Sequence, residues 1–254
     1  MKLRVLGCSG GIGGNLRTTS LLLDHDVLID AGTGVNELSL TELMVIDHVF
    51  VTHSHLDHIA SIPLMVDSVG FVRNHPMTIY ATQETLDILK QHIFNWKIWP
   101  DFSEIPSAQQ PLMRYQPIEL GETVVLNGRK ITALPANHTV PAVGYHLDSG
   151  HSSLVFSGDT FSNDRLWQVV NKIENLRYLI IETAFSNSEK DLAVLSKHLC
   201  PSLLAEELAK LTRDAEVYIT HLKPGEVELT MAEIESCVGR LRPKMLLNNQ
   251  EFEL

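Results

Sequence analysis

The 254-residue sequence is short of cysteine, of basic charge and of long apolar runs. Its three cysteines, Cys8, Cys200 and Cys237, are odd in number and far apart. They form no C-x-x-C pair and define no disulfide framework, so they read as idle thiols of a reducing compartment. Lys and Arg number 20 against 31 Asp and Glu, for a net charge of −11. Binding to a nucleic-acid backbone rests on clustered cations, so no nucleic-acid partner is expected. A small anionic substrate stays open, because bound metal ions can dominate the local charge. No apolar stretch approaches the ~18 residues of a membrane span, and no membrane partner is expected. The segment Met1-Lys-Leu-Arg-Val-Leu6 meets a glycine-rich turn before a secretory apolar region of about 7–15 residues can form. The chain therefore reads as cytoplasmic.

What is present is an ordinary globular composition, 44% hydrophobic and 20% charged. A single domain over residues 1–254 is expected. Short β-rich runs predict strands over 2–6, 27–30, 48–52, 78–81, 123–126, 130–135, 143–147, 153–157, 179–182, 217–220 and 245–247. Several are unbroken apolar runs, the pattern of strands covered on both faces. Helical patterns fall at 58–69, 83–94, 163–171, 201–213 and 231–240. A capping-box sequence, Thr230-Met-Ala-Glu233, marks the start of the last. Residues 96–117 carry Pro100, Pro106, Pro111 and Pro117 and read as a long loop or insertion, either a lid or a structural connector.

The strand at 48–52 runs directly into His53-Ser-His55-Leu-Asp57-His58. A strand end can project His53 and His55 to one side, two residues apart, before the chain turns into a helix. Imidazole nitrogens with a carboxylate suit zinc, and manganese or iron also accept them. A lone histidine is more often structural, but three with an aspartate inside six residues point to a metal. His138, Asp159 and His221 each follow a predicted strand or sit in a polar turn. Individually each is a weak signal.

Together, in this order, these residues resemble the metallo-β-lactamase superfamily over essentially the whole chain. The resemblance implies an α/β, four-layer αββα sandwich with a dinuclear site at one edge. It implies that His53, His55 and His138 hold one divalent ion, that Asp57, His58 and His221 hold the other, and that Asp159 bridges them. Two such ions about 3.5–4 Å apart share and acidify one water, which makes hydrolysis by a metal-held hydroxide the expected chemistry. Two divalent ions, two carboxylates and that hydroxide leave a residual charge of about +1, the complement of a phosphodiester.

Within the superfamily the chain is most similar to the class II 3′,5′-cyclic-nucleotide phosphodiesterases. The likeness rests on His53-Ser-His-Leu-Asp-His-Ile-Ala-Ser-Ile62, on Leu16-Arg-Thr-Thr-Ser-Leu-Leu-Leu23 with Ile29-Asp-Ala-Gly-Thr33, and on Ile181-Glu-Thr-Ala-Phe185 with Lys197-His-Leu-Cys-Pro201. It implies a cyclic-nucleotide substrate, two zinc-like ions and a homodimer. It singles out His198 as general acid toward the leaving 3′-oxygen and Glu182 as the group orienting it, with Asp57 joining ligation to catalysis. Asn137, Thr139 and Thr160 are candidates for hydrogen bonds to phosphate or to ligands.

The tRNA 3′-end processing nucleases share the seven ligands and the segment His138-Thr-Val-Pro-Ala-Val-Gly-Tyr145. Their His-Glu-Ala-Thr motif has Ile181 here in place of its histidine, and no basic arm is visible. Hydrolysis of another ester, thioester or sulfate, and a non-catalytic metal-dependent binding protein, are further alternatives. Gly7-Cys-Ser9-Gly-Gly11 matches a nucleophile elbow, but the glycines that follow replace the helix it needs, so a glycine loop beside the site is expected.

Overall fold

The computed structural model describes residues 1–254. The first half of the chain lays down β1 (Lys2–Gly7), β2 (Ser20–Leu23), β3 (Val27–Ile29), β4 (His48–Phe50) and β5 (Met77–Ala81). A short hairpin, β6 (Pro106–Ser107) and β7 (Gln110–Pro111), then leads to β8 (Met113–Pro117). The helices of this half are α1 (Leu40–Leu43), α2 (Leu56–Ile59), α3 (Ile62–Val69) and α4 (Gln83–His92). The second half contributes β9 (Thr123–Leu126), β10 (Arg129–Pro135), β11 (Val143–Asp148), β12 (Ser153–Phe156), β13 (Leu176–Glu182), β14 (Glu216–Thr220) and β15 (Lys244–Met245). Among these lie α5 (Asp164–Val170), α6 (Lys190–Ser196), α7 (Pro201–Leu208) and α8 (Val227–Cys237). A last strand, β16 (Glu251–Glu253), returns to pair with β1.

Two seven-stranded mixed sheets result, ordered β16-β1-β2-β3-β4-β5-β8 and β15-β14-β13-β12-β11-β10-β9. Because successive side chains of a strand point to opposite faces, each central strand serves two cores. Phe50 joins the cluster between the sheets, with Leu3, Val5, Tyr145 and Ile180, while its neighbours Val49 and Val51 pack against α3 and α4 residues such as Met65 and Leu89. On the other sheet Tyr178 and Ile180 face inward, while Leu179 and Ile181 meet Trp167 and Leu204 of the covering helices. Three apolar layers separate four layers of secondary structure, the αββα arrangement. No helix is long and apolar enough to cross a membrane.

The structure corrects several expectations. The helix expected over 58–69 breaks into α2 and α3, because Ala31 inserts beside it: Ala31 N–H donates to His58 O (2.7 Å), and Ser61 N–H donates to Ala31 O (2.9 Å). The strand expected to reach Asp30 stops at Ile29, since Asp30 turns to φ 58°. Within 96–117, residues Met113–Pro117 form β8, parallel to β5, which the surrounding prolines concealed. The last helix begins at Val227, so Thr230 lies buried in its first turn and caps nothing. β2, β16, α1 and α6 were not signalled as elements.

Candidate metal centre

Four strands of the second sheet, β10, β12, β13 and β14, run in the same direction. His138, Asp159, Glu182 and His221 lie at or just beyond their C-terminal ends. From the first sheet, β4 delivers Thr52 and His53 to the same edge, and His55 stands as the residue before α2. The site is thus assembled where strand ends of both sheets meet, with helices behind them.

Asp159 is its hub. Oδ2 lies 3.3 Å from His221 Nε2, 3.4 Å from His58 Nε2, 3.7 Å from His53 Nε2 and 4.0 Å from His138 Nε2. Asp57 Oδ2 is 3.7 Å from His221 Nε2 and 3.9 Å from His58 Nε2. His55 turns Nδ1 inward, 3.2 Å from His138 Nε2. Two donor sets emerge, His53, His55, His138 and Asp159 on one side and Asp57, His58 and His221 on the other. A third set, Asp159, His198 and His221, brings His198 to the same place. All seven candidate ligands, with His198 and Glu182, therefore converge.

Three of the imidazoles, His53, His58 and His138, are aimed by their second nitrogen. Asp30 is fully buried; it accepts hydrogen bonds from His58 Nδ1–H (2.7 Å) and from Thr52 Oγ1 (2.8 Å). Thr52 Oγ1, having donated to Asp30, is left to accept from His53 Nδ1–H at 3.0 Å. His138 Nδ1–H donates to Lys197 O (3.1 Å). The inward Nε2 atoms of His53 and His58 are buried and have no hydrogen-bond partner. Buried nitrogens left unpaired around a carboxylate hub are uncommon, and divalent cations satisfy such a donor set. The residues fit a metal.

Their electrostatics agree. Burial pushes His53 well below the ordinary histidine value, and lowers His55, His138 (to about 4) and His221 (to about 3). Neutral rings at pH 7 offer the lone pair that ligation needs. His58 departs from this: burial opposes its charge, yet Asp159 and Asp30 raise it well above the ordinary value. Asp159 is pushed up by burial but held well below the usual carboxylate range by His221 and His58.

His198 sits between α6 and α7, its ring stacked on His221 at 5.1 Å and 18°. Its Nδ1–H donates to Glu182 Oε1 at 2.8 Å, and Glu182 is fully buried. Burial disfavours its charge, but the Glu182 carboxylate raises its pKa above the usual value. Thr160 and Asn137 are engaged internally, Thr160 N–H on Glu182 Oε1 (3.1 Å) and Asn137 Nδ2–H on Ser162 O (2.9 Å), while Thr139 is exposed.

The glycine loop after β1 does lie beside the site. His221, itself at φ 65°, donates N–H to Cys8 O (2.8 Å), and a Cβ on Gly10 would stand 2.4 Å from His221 O. Sequence reasoning missed three supporting residues: Asp30, Thr52 and Lys197. A signal existed for the first, since Asp30 is a lone acid directly after an apolar strand in Ile29-Asp-Ala-Gly32.

The chain is similar to known proteins. The sequence pattern of the Beta-lactamase superfamily domain matches residues 25–222. A probable 3′,5′-cyclic-nucleotide phosphodiesterase from Yersinia pestis is 27% identical over 204 residues, 71% of this chain and 58% of that protein. A ribonuclease Z from Methanocaldococcus jannaschii is 29% identical over 122 residues, 46% of this chain and 37% of that protein. The aligned part thus spans about half the length of these curated relatives. Among solved structures, unliganded yeast PDE1 superposes with a TM-score of 0.81 at 20% identity, over 100% of this chain and 99% of that one. This last likeness is one of fold.

Proposed function

The chain belongs to the β-lactamase superfamily, and from that premise we propose that it is a two-metal hydrolase of phosphodiesters, opening a 3′,5′-cyclic nucleotide to the 5′-nucleotide. The observation that carries the reading is the His198–Glu182 pair standing beside the donor cluster, 2.8 Å apart and buried. A hydrolase of an alkoxide-leaving diester needs a proton donor opposite its ligands, and a bare binding site does not.

In this reading His53, His55 and His138 would hold one ion and Asp57, His58 and His221 the other, with Asp159, near both donor sets, available to either. Two divalent ions, zinc being the simplest match to imidazole and carboxylate donors, supply Lewis acidity and lower the pKa of a shared water. Asp57, whose side chain is 27% exposed, is the open carboxylate of the cluster and serves as proton acceptor from the entering water. As the P–O3′ bond breaks, His198 delivers its Nε2 proton to the departing oxygen. Glu182 keeps Nδ1 protonated and the ring in place. The substrate is a small molecule, and the acidic chain offers no counterpart for a nucleic-acid backbone.

The likeness to ribonuclease Z favours a second reading, cleavage of RNA 3′ ends. The net charge of −11 and Ile181, where that family's motif has histidine, weigh against it. Release of 5′-AMP from 3′,5′-cAMP by metal-loaded protein separates the two, with a His55→Ala control and metal content measured in parallel. Turnover that disappears in the variant supports the phosphodiesterase. Absence of turnover with two ions bound overturns it, and precursor tRNA and thioesters are then the substrates to assay.

A further inference from the structure

Lys197 ends α6 in the left-handed region, φ 54° and ψ 48°, a conformation that side chains other than glycine and asparagine rarely adopt. The turn closes the helix, with His198 N–H donating to Ala193 O at 2.8 Å. A glycine there would close it with less strain, so helix termination does not account for a lysine. What the lysine adds is a second contact to one partner. Its carbonyl accepts from His138 Nδ1–H at 3.1 Å, and its ammonium donates to the His138 carbonyl at 3.0 Å. The half-buried ammonium makes no salt bridge, although the chain carries 31 carboxylates.

Backbone and side chain of one residue therefore grip a single histidine from both ends. That residue also directly precedes His198, whose ring lies 4.9 Å from that of His138. We infer that Lys197 is a positioning residue: it fixes His138 as a metal ligand and sets the distance from that ligand to His198. The inference rests on the reading of His138 as a ligand. The carbonyl selects the tautomer whose Nε2 lone pair faces the cluster. The ammonium stops the loop carrying His138 from drifting away from the loop carrying His198. Partners of this kind are worth about 10–100-fold in metal affinity when lost.

The test uses three variants of the full chain, K197M, K197G and K197R, each first shown to melt cooperatively without metal. Zinc affinity is measured by competition against a chromophoric chelator, and ligand geometry by the visible band of the cobalt-substituted protein. K197M is expected to bind one of its two ions about tenfold or more weakly than wild type, with an altered cobalt band. K197G keeps the carbonyl and relaxes the backbone, and is expected to show the same loss, which assigns it to the ammonium. K197R, whose guanidinium can reach the same carbonyl, is expected to restore both readouts. If K197M does not fold, K197G carries the test by the same criterion. Wild-type affinity and spectrum in the lysine-lacking variant overturn the inference alone. A wild-type chain that takes up no metal overturns the two-ion reading itself, and the inference with it.

Discussion

The carboxylate of Asp30 accepts the Nδ1–H of His58 at 2.7 Å, with both side chains fully buried. The same carboxylate takes Thr52 N–H at 2.7 Å and Thr52 Oγ1–H at 2.8 Å. Through Thr52 it reaches His53. One acid therefore sets the tautomer of two histidines that belong to different donor sets, an arrangement that fixes rings and raises ligand basicity.

Asp30→Asn retains the volume but replaces one acceptor face with a donor. Metal affinity is expected to fall about 10–100-fold, with loss at both ions since both sets depend on it. Competition titration with a chelator measures this. Undiminished binding of both ions would refute the role given to Asp30.

Metal uptake should release a proton. His53, His138 and His221 are held low and carry no proton at the ligating nitrogen near neutrality, whereas His58 is raised well above its ordinary value by Asp159 and Asp30 against the effect of burial. An ion at His58 must displace that proton, so affinity rises with pH while His58 is protonated. His58 is expected to contribute about one proton per chain, in addition to any released by an acidified water, measured by calorimetry in buffers of different ionisation enthalpy. Binding without proton release at pH 7 would mean that His58 enters neutral.

His198→Ala and Glu182→Gln test the proton-donor pair. Turnover is expected to fall about 10²–10⁴-fold in the first. The second should fall less, and the double variant should resemble His198→Ala, because Glu182 acts through His198. Both should load metal as wild type does. An additive double variant would show that Glu182 has an independent role.

Glu207 of α7 ties that helix to the segment after Asp159. It accepts from Ser162 Oγ (2.6 Å), Asn163 N–H (3.1 Å), Trp167 Nε1–H (2.7 Å) and Lys210 Nζ (2.7 Å). Burial pushes its pKa up, but these donors, Lys210 foremost, outweigh it and hold the carboxyl below its usual value. A folded-state pKa below the unfolded one stabilises the protein above the unfolded value, about 4.3, and that contribution is lost as pH falls through the folded value. Glu207→Gln is expected to lose about 1–3 kcal/mol at pH 7, with the gap to wild type closing in acid. Urea melts at pH 7 and at a series of values descending well below pH 4 check it, and a gap that is constant with pH would contradict the sign.

The sequence by itself determined the fold class and pointed to most of the candidate donor cluster. His53-Ser-His-Leu-Asp-His58 is a strand end, a turn and a first helical turn, all local in the chain, so six adjacent residues carry their own geometry. Unbroken apolar runs at Val49-Phe50-Val51 and Leu179-Ile180-Ile181 likewise mark strands covered on both faces. Where local pattern and long-range contact conflicted, contact prevailed. The 58–69 helix reads as continuous, but Ala31 and Gly32 take hydrogen bonds from Ser61 and break it. β8 forms among prolines because β5 offers it a partner.

Only the tertiary structure decided what orients the ligands. Asp30 and His58 are 28 residues apart, Glu182 and His198 are 16, and Lys197 and His138 are 59. Such pairs are set by sheet register and by the crossing of loops at one edge. Periodicity reports which face of an element is buried, and not which distant side chain it meets there. The left-handed backbone of Asp30, Lys197 and His221 is of the same kind. It is uncommon outside glycine; at Asp30 and His221 the residue is tied to a distant segment through N–H donation to Phe50 O and Cys8 O, while at Lys197 it closes α6.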